Sequence, residues 1–142
     1  MNGFFAIDIP TSPKVYVDAG PLLIGVVFQL QGAWHVQSFP LPEGILKVPI
    51  VTRQQTAELY GIFRATKVCL THNILEPTLV IDSQSSFGAV LKGNTGGNID
   101  RIRILQKLQI VVQRKAFLAY LQLINTRFHP EDIPAGKNLT YS

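Results

Sequence analysis

Runs of β-favouring apolar residues, broken by glycine and proline, organise the N-terminal half of the chain. Val15-Tyr16-Val17 lies between Pro13 and Gly20 and predicts a strand over Lys14–Ala19 that closes on Asp18. Leu22–Leu30 and Ala33–Phe39 read as a second and a third strand, with Gly32 marking the turn between them. Strands that follow one another through short turns predict an antiparallel meander. Pro40-Leu41-Pro42-Glu43-Gly44 breaks it, and Ile45–Ile50 reads as a further short extended piece. The period then changes. Leu59, Ile62, Phe63 and Thr66 recur at helical spacing behind Thr52-x-x-Gln55, a capping-box pattern. Thr71-His72-Asn73 ends that helix, and Pro77 prevents an early return to helix.

The uniformly apolar character of Thr78–Ile81 fits a strand buried on both faces, and its place after a helix predicts that it runs parallel to the first strand. Asp82-Ser83 is expected to cap a helix through Lys92, and Gly93–Gly97 to form a loop. Asn98 caps a further helix with Asp100 in its first turn. Ile102, Leu105, Leu108 and Val112 form its expected apolar stripe, and Arg101, Arg103, Lys107, Arg114 and Lys115 its expected exposed surface. Phe117–Ile124 is a last strand, followed by a polar tail containing Pro130 and Pro134. The order predicts an α/β fold: a mixed five-stranded sheet, three antiparallel strands and then parallel ones, with helices on both faces. Residues 1–13 form an irregular segment or linker, 14–136 the domain and 137–142 a tail.

In such a sheet Asp18 and Asp82 end neighbouring strands, within reach of one ion. Glu58 borders the inward stripe of its helix, and Asp132 sits between Pro130 and Pro134. Acids at the end of apolar strands are costly to bury without compensation, and their convergence points to a divalent cation. Composition agrees. The 142 residues are 46% hydrophobic and 15% charged, which fits one folded domain and argues against disorder. With 13 Lys plus Arg against 9 Asp plus Glu the net charge is +4, and clustering the acids leaves a more basic surface, suited to a polyanion. The single cysteine, Cys69, excludes an internal disulfide and a cysteine zinc site. No apolar run reaches a membrane span of about 20 residues, and no signal peptide is evident, so an intracellular, non-secreted protein without membrane partners is expected.

Val-Asp-Ala-Gly at Asp18, Thr-Ala-Glu-Leu-Tyr at Glu58 and Val-Ile-Asp-Ser-Gln at Asp82, in that order, resemble the ribonuclease H domain of reverse transcriptases. His129-Pro130-Glu131-Asp132-Ile133-Pro134 is similar to the segment that carries the last acid in hepadnavirus polymerases, and the resemblance spans about Val15 to Gly136. Retroviral members carry a histidine in a loop well before that acid, and this chain has none there; His129 stands just before Asp132. The resemblance implies a ribonuclease H-like fold and an enzyme that cuts the RNA strand of RNA/DNA hybrids with two Mg²⁺ or Mn²⁺ ions. Asp18 would bridge both ions, Glu58 and Asp82 would complete one side, and Asp132 the other. It also implies groove contacts from Gln54, Gln55, Ser83 and Gln84 and the backbone of Ala19 and Gly20, DNA-strand contacts from Arg101, Arg103 and Lys107, and a polymerase domain of the same polyprotein as partner. Two other classes remain open: a non-catalytic tether of the same fold that binds nucleic acid or protein, and a DNA-processing or integrase-like nuclease.

Overall fold

The computed structural model of the chain describes residues 5–7, 12–124 and 140–141. The elements are β1 (Phe5–Ile7), β2 (Lys14–Ala19), β3 (Leu23–Leu30), β4 (Ala33–Pro40), α1 (Glu43–Leu46), α2 (Ile50–Thr71), β5 (Thr78–Ile81), α3 (Gln84–Lys92), α4 (Ile99–Arg114), β6 (Ala119–Leu123) and β7 (Thr140–Tyr141). They build a seven-stranded sheet in the order β1-β6-β5-β2-β3-β4-β7. Its inner strands are the expected mixed sheet: β2, β3 and β4 pair antiparallel, β5 lies parallel to β2, and β6 parallel to β5. The short β1 and β7 were not foreseen; they add parallel pairings on the outer sides of β6 and β4.

Local chemistry explains these elements. The β3–β4 hairpin turns through Gln31 and Gly32, with φ of 51° and 84°. Two successive positive φ values give the turn whose twist matches that of paired strands. In β2 the inward residues Val15, Val17 and Ala19 alternate with half-buried Lys14, Tyr16 and Asp18. β5 is buried at every position because strands flank it on both sides. Residues of all four helices, among them Ile45, Ile62, Ala89 and Leu105, join one core with Val17, Ile24 and Leu79. The opposite face carries a smaller cluster of Val27, Trp34 and Val36, with Tyr16 and Ile124 packed on it, and no described helix joins it. Cys69 is buried, and burial pushes its thiol pKa up to about 12, so it serves packing and not chemistry. Among the described residues, no helix is long and apolar enough to cross a membrane.

Three local expectations fail for identifiable reasons. Ile45–Ile50 is not extended: Glu43–Leu46 is α1, and Ile50 already belongs to α2. Buried Ile45 and Val48 lie three apart, a helical spacing. Thr52 is not the cap of α2; Pro49 takes that place, and the Thr52 hydroxyl donates to the Pro49 carbonyl at 3.2 Å. Proline suits a helix start because the missing N–H would be unsatisfied there anyway. On α4 the buried face is Arg101, Ile104, Leu105, Leu108 and Val112, so Ile104 replaces Ile102 and Arg101 turns inward. The Ser83 and Asn98 caps form as expected, accepting from the Ser86 and Arg101 backbone N–H groups.

At Gly61, α2 lies close against the sheet. A Cβ there would lie 3.0 Å from Val17 Cγ1 and 3.4 Å from Ile24 Cγ2. Gly61→Val adds a branched side chain where there is no room, and overpacking of that kind costs about 1–3 kcal/mol. The urea midpoint should fall accordingly; an unchanged midpoint would show that α2 does not bear closely on β2 and β3.

Candidate active site

Strand register bears on where two of the acids stand. Lys14 pairs with Thr78, Val15 with Leu79 and Tyr16 with Val80. Continued by two residues, this register sets Asp18 beside Asp82 at the same end of two parallel strands. Alternation gives residues in register the same side of the sheet. Asp18 is half-buried, and its Oδ1 is shielded from solvent.

Glu58 comes from a different layer. The Gln54 side-chain amide donates to the Ala19 carbonyl at 2.8 Å, fastening the first turns of α2 to the end of β2. Glu58 follows Gln54 by one helical turn on the same side of α2. It is half-buried, and with Asp82 it lines an open cleft of about 830 Å³. Gln55 and Gln84, both exposed, line it too, as do Lys92 and Asn94. Asp18 lies outside that lining. Among the described residues no three metal-binding side chains come close enough to hold an ion together. Asp132, His129 and the expected domain boundary at 136 lie outside the described residues.

Several expected contact groups are used internally. Gln54 and the Ala19 carbonyl bond to each other, and the Gly20 N–H donates to the Leu23 carbonyl at 2.8 Å. Ser83 is buried; its hydroxyl caps α3 and bonds the Ser86 hydroxyl at 3.0 Å. Arg101 departs furthest from expectation. It is only 5% exposed, and its guanidinium donates to the Thr95 carbonyl at 3.2 Å and the Ser85 carbonyl at 3.0 Å. Burial holds its pKa below the ordinary value, and the negative charge of Glu58 pulls it back up. A buried cation persists only with compensation, and here two carbonyls and a nearby carboxylate supply it. Arg101 therefore joins α4, the start of α3 and the Gly93–Gly97 loop behind the cleft. Arg103 and Lys107 are exposed but lie outside the cleft lining, where Lys92 is the cation.

Solved structures share this fold over most of the chain. Ribonuclease H1 of the halophilic archaeon Halobacterium salinarum NRC-1 superposes with a TM-score of 0.58 at 13% identity, over 80% of this chain and 85% of that one. The fold is ribonuclease H-like. The N-terminal ribonuclease H domain of Rv2228c from Mycobacterium tuberculosis superposes with a TM-score of 0.53 at 14% identity, over 80% of this chain and 83% of that one. No family model and no curated protein sequence matches the chain.

Lys92 and Asn94 are the cleft residues that sequence reasoning missed, and Arg101, expected at the exposed surface, is buried instead. Lys92 and Asn94 flank the end of α3 and carried no motif; Arg101 sits in a basic run that resembles a solvated face. Its inward position has a measurable consequence. Arg101→Met retains much of the stem but removes two charge-assisted hydrogen bonds and leaves Glu58 without its neighbouring cation. The loss should be about 2–4 kcal/mol, read from urea unfolding, whereas Arg103→Met should change stability by less than about 0.5 kcal/mol. Equal effects from the two would refute the buried role of Arg101.

Proposed function

We propose that the chain is a divalent-metal-dependent ribonuclease that hydrolyses the RNA strand of RNA/DNA hybrids, working as a domain of a reverse transcriptase beside its polymerase domain. The observation that carries this reading is the β2–β5 register, whose continuation by two residues would align Asp18 with Asp82 at the strand end where Gln54 anchors the helix bearing Glu58. The ribonuclease H-like sheet supports it, and the motifs around Asp18, Glu58, Asp82 and Asp132 supply the reverse-transcriptase context.

The donor set suits Mg²⁺ or Mn²⁺, because carboxylate oxygens are hard ligands. Mg²⁺ commonly binds through a few carboxylates plus waters and substrate phosphates, so it does not require three acids in mutual contact beforehand. When bound, a pair of such ions would activate water and stabilise the leaving oxygen of the phosphodiester. Asp18, Glu58 and Asp82 would hold them, with Asp132 completing the set. The protein's own contribution is placement. Gln55 and Gln84 offer amides at the cleft to the 2′-hydroxyls that distinguish an RNA strand. Lys92 offers a positive charge to a phosphate at the same opening.

A second reading, a non-catalytic tether of the same fold, is favoured by the lack of a three-ligand group among the described residues. Calorimetry separates the two, since a tether needs no Mg²⁺. The direct test is metal-dependent cleavage of a labelled hybrid by wild type, Asp18→Asn and Asp82→Asn, purified identically. Each substitution should slow cleavage by at least about 100-fold, roughly 2.7 kcal/mol of barrier, while weakening hybrid binding far less. Cleavage at the wild-type rate by both variants would remove these acids from the mechanism.

A further inference from the structure

On the outer surface, α2 and α4 lie side by side and run in the same direction, leaving a furrow between them. Tyr60 and Phe63 of α2 face Arg103 and Lys107 of α4, and further along Lys67 faces Arg114 and Lys115. The furrow holds two recesses of about 190 and 410 Å³ and shares no lining residue with the acid cleft. Arg103, Lys107 and Arg114 stand on one face of α4, since spacings of four and seven return to the same side of a helix. All these cations are exposed, as is Lys67. Half-buried Asp100 is the acid in the lining. From Arg103 to Arg114 the positive stripe runs about 16 Å along the helix axis. The walls are also aromatic. The Tyr60 and Phe63 rings lie 6.1 Å apart, and the Lys67 ammonium stands 5.1 Å from the centre of the Phe63 ring.

We propose that this furrow binds single-stranded nucleic acid, separately from whatever enters the acid cleft. A positive groove that tracks phosphates, with aromatic side chains for the bases, is the combination by which proteins hold unpaired strands without sequence preference. An unpaired base can enter a recess between the helices, whereas a paired base is retained in its stack. An acidic peptide would match the charge but would gain little from the Tyr60 and Phe63 rings. The inference does not depend on the cleft being catalytic; if the cleft does cut hybrids, the furrow would hold an unpaired strand running off the hybrid.

The test is fluorescence anisotropy of labelled oligothymidylate and oligouridylate with the full chain in EDTA, so that binding is read without divalent ions and without cleavage. Wild type should bind both, and contacts from the five cations predict a log–log salt slope near −3.5, at about 0.7 per contact. Lys67→Gln/Arg114→Gln should make the slope shallower by about 1.4. Lys67→Glu/Arg114→Glu should weaken binding at least tenfold with the urea midpoint retained. Lys47→Gln, at an exposed lysine outside both the furrow and the acid cleft, should leave binding within twofold. Preference for one oligomer would assign the furrow to RNA or to DNA. The proposal is overturned if wild type does not bind, if the furrow variants bind like wild type, or if Lys47→Gln weakens binding as much as the furrow variants do. Polyglutamate binding as tightly as oligothymidylate at equal salt would overturn it in favour of an acidic protein partner.

Discussion

The parallel pairing of β2 with β5 is the constraint on which the rest of the structure depends. Parallel neighbours cannot be joined by a tight turn, so the chain must leave the meander and cross the sheet before β5. α2 makes that crossing. It must lie low over β2 and β3 to cover Val17 and Ile24, and Gly61 permits the approach. β5, enclosed between β2 and β6, is then buried along its length. A slip of one residue in β2 would turn Asp18 into the helix-side core and Val15 and Val17 out of it. Hydrophobic burial therefore fixes the register, and the register fixes where two carboxylates stand. Packing and candidate chemistry rest on one pairing.

Electrostatics at the strand ends follows from the same geometry. Glu58 and Asp82 line one cleft, with Asp18 outside its lining, and sharing a cleft raises the energy of two like charges. Arg101 lowers it from behind, tied to the Ser85 and Thr95 carbonyls and held in the field of Glu58. It sits where the cleft wall forms and is shielded from solvent, so its charge is screened by water less than that of a surface lysine. Lys92, exposed at the cleft, supplies a positive charge from the open side. The acids are thus partly compensated by the protein itself, on two sides.

Much of this was legible in the sequence because local and global signals agreed. Val15–Val17 and Thr78–Ile81 are apolar where strands must be buried, Gly32 marks a turn that requires positive φ, and Ser83 and Asn98 cap helices through short-range bonds. These are properties of neighbouring residues. What was not legible depends on distant ones. The inward turn of Arg101 is stabilised by carbonyls of Ser85 and Thr95, and nothing in Ile102-Arg103-Ile104 reveals which isoleucine faces the core. Gln54 reads as a surface amide until the end of β2 is set beneath it. Ile45 and Val48 have a spacing that a short strand or a helical turn can both use, and the preceding proline did not decide between them. Of the candidate site, the elements carrying Asp18, Glu58 and Asp82 were legible, whereas which groups share the cleft with Glu58 and Asp82 required the fold.

α4 shows how one helix divides its charges between two surfaces. Arg101 lies on the buried face, while Arg103, Lys107 and Arg114 lie on the exposed side facing α2. A net charge of +4 averages over these environments and hides them. The inward cation meets carbonyls and Glu58, and stabilises a concentration of negative charge. Among the described residues, the outward cations have Asp100 as the acid in their lining, and their mutual repulsion has no comparable relief there. Charges of one sign held along a rigid furrow lower their energy when a polyanion neutralises them and releases its counterions. The two surfaces therefore differ in charge: a cleft lined by Glu58 and Asp82 with Lys92, and a furrow lined by five cations with Asp100, α2 lining both while α4 lines the furrow and sets Arg101 behind the cleft.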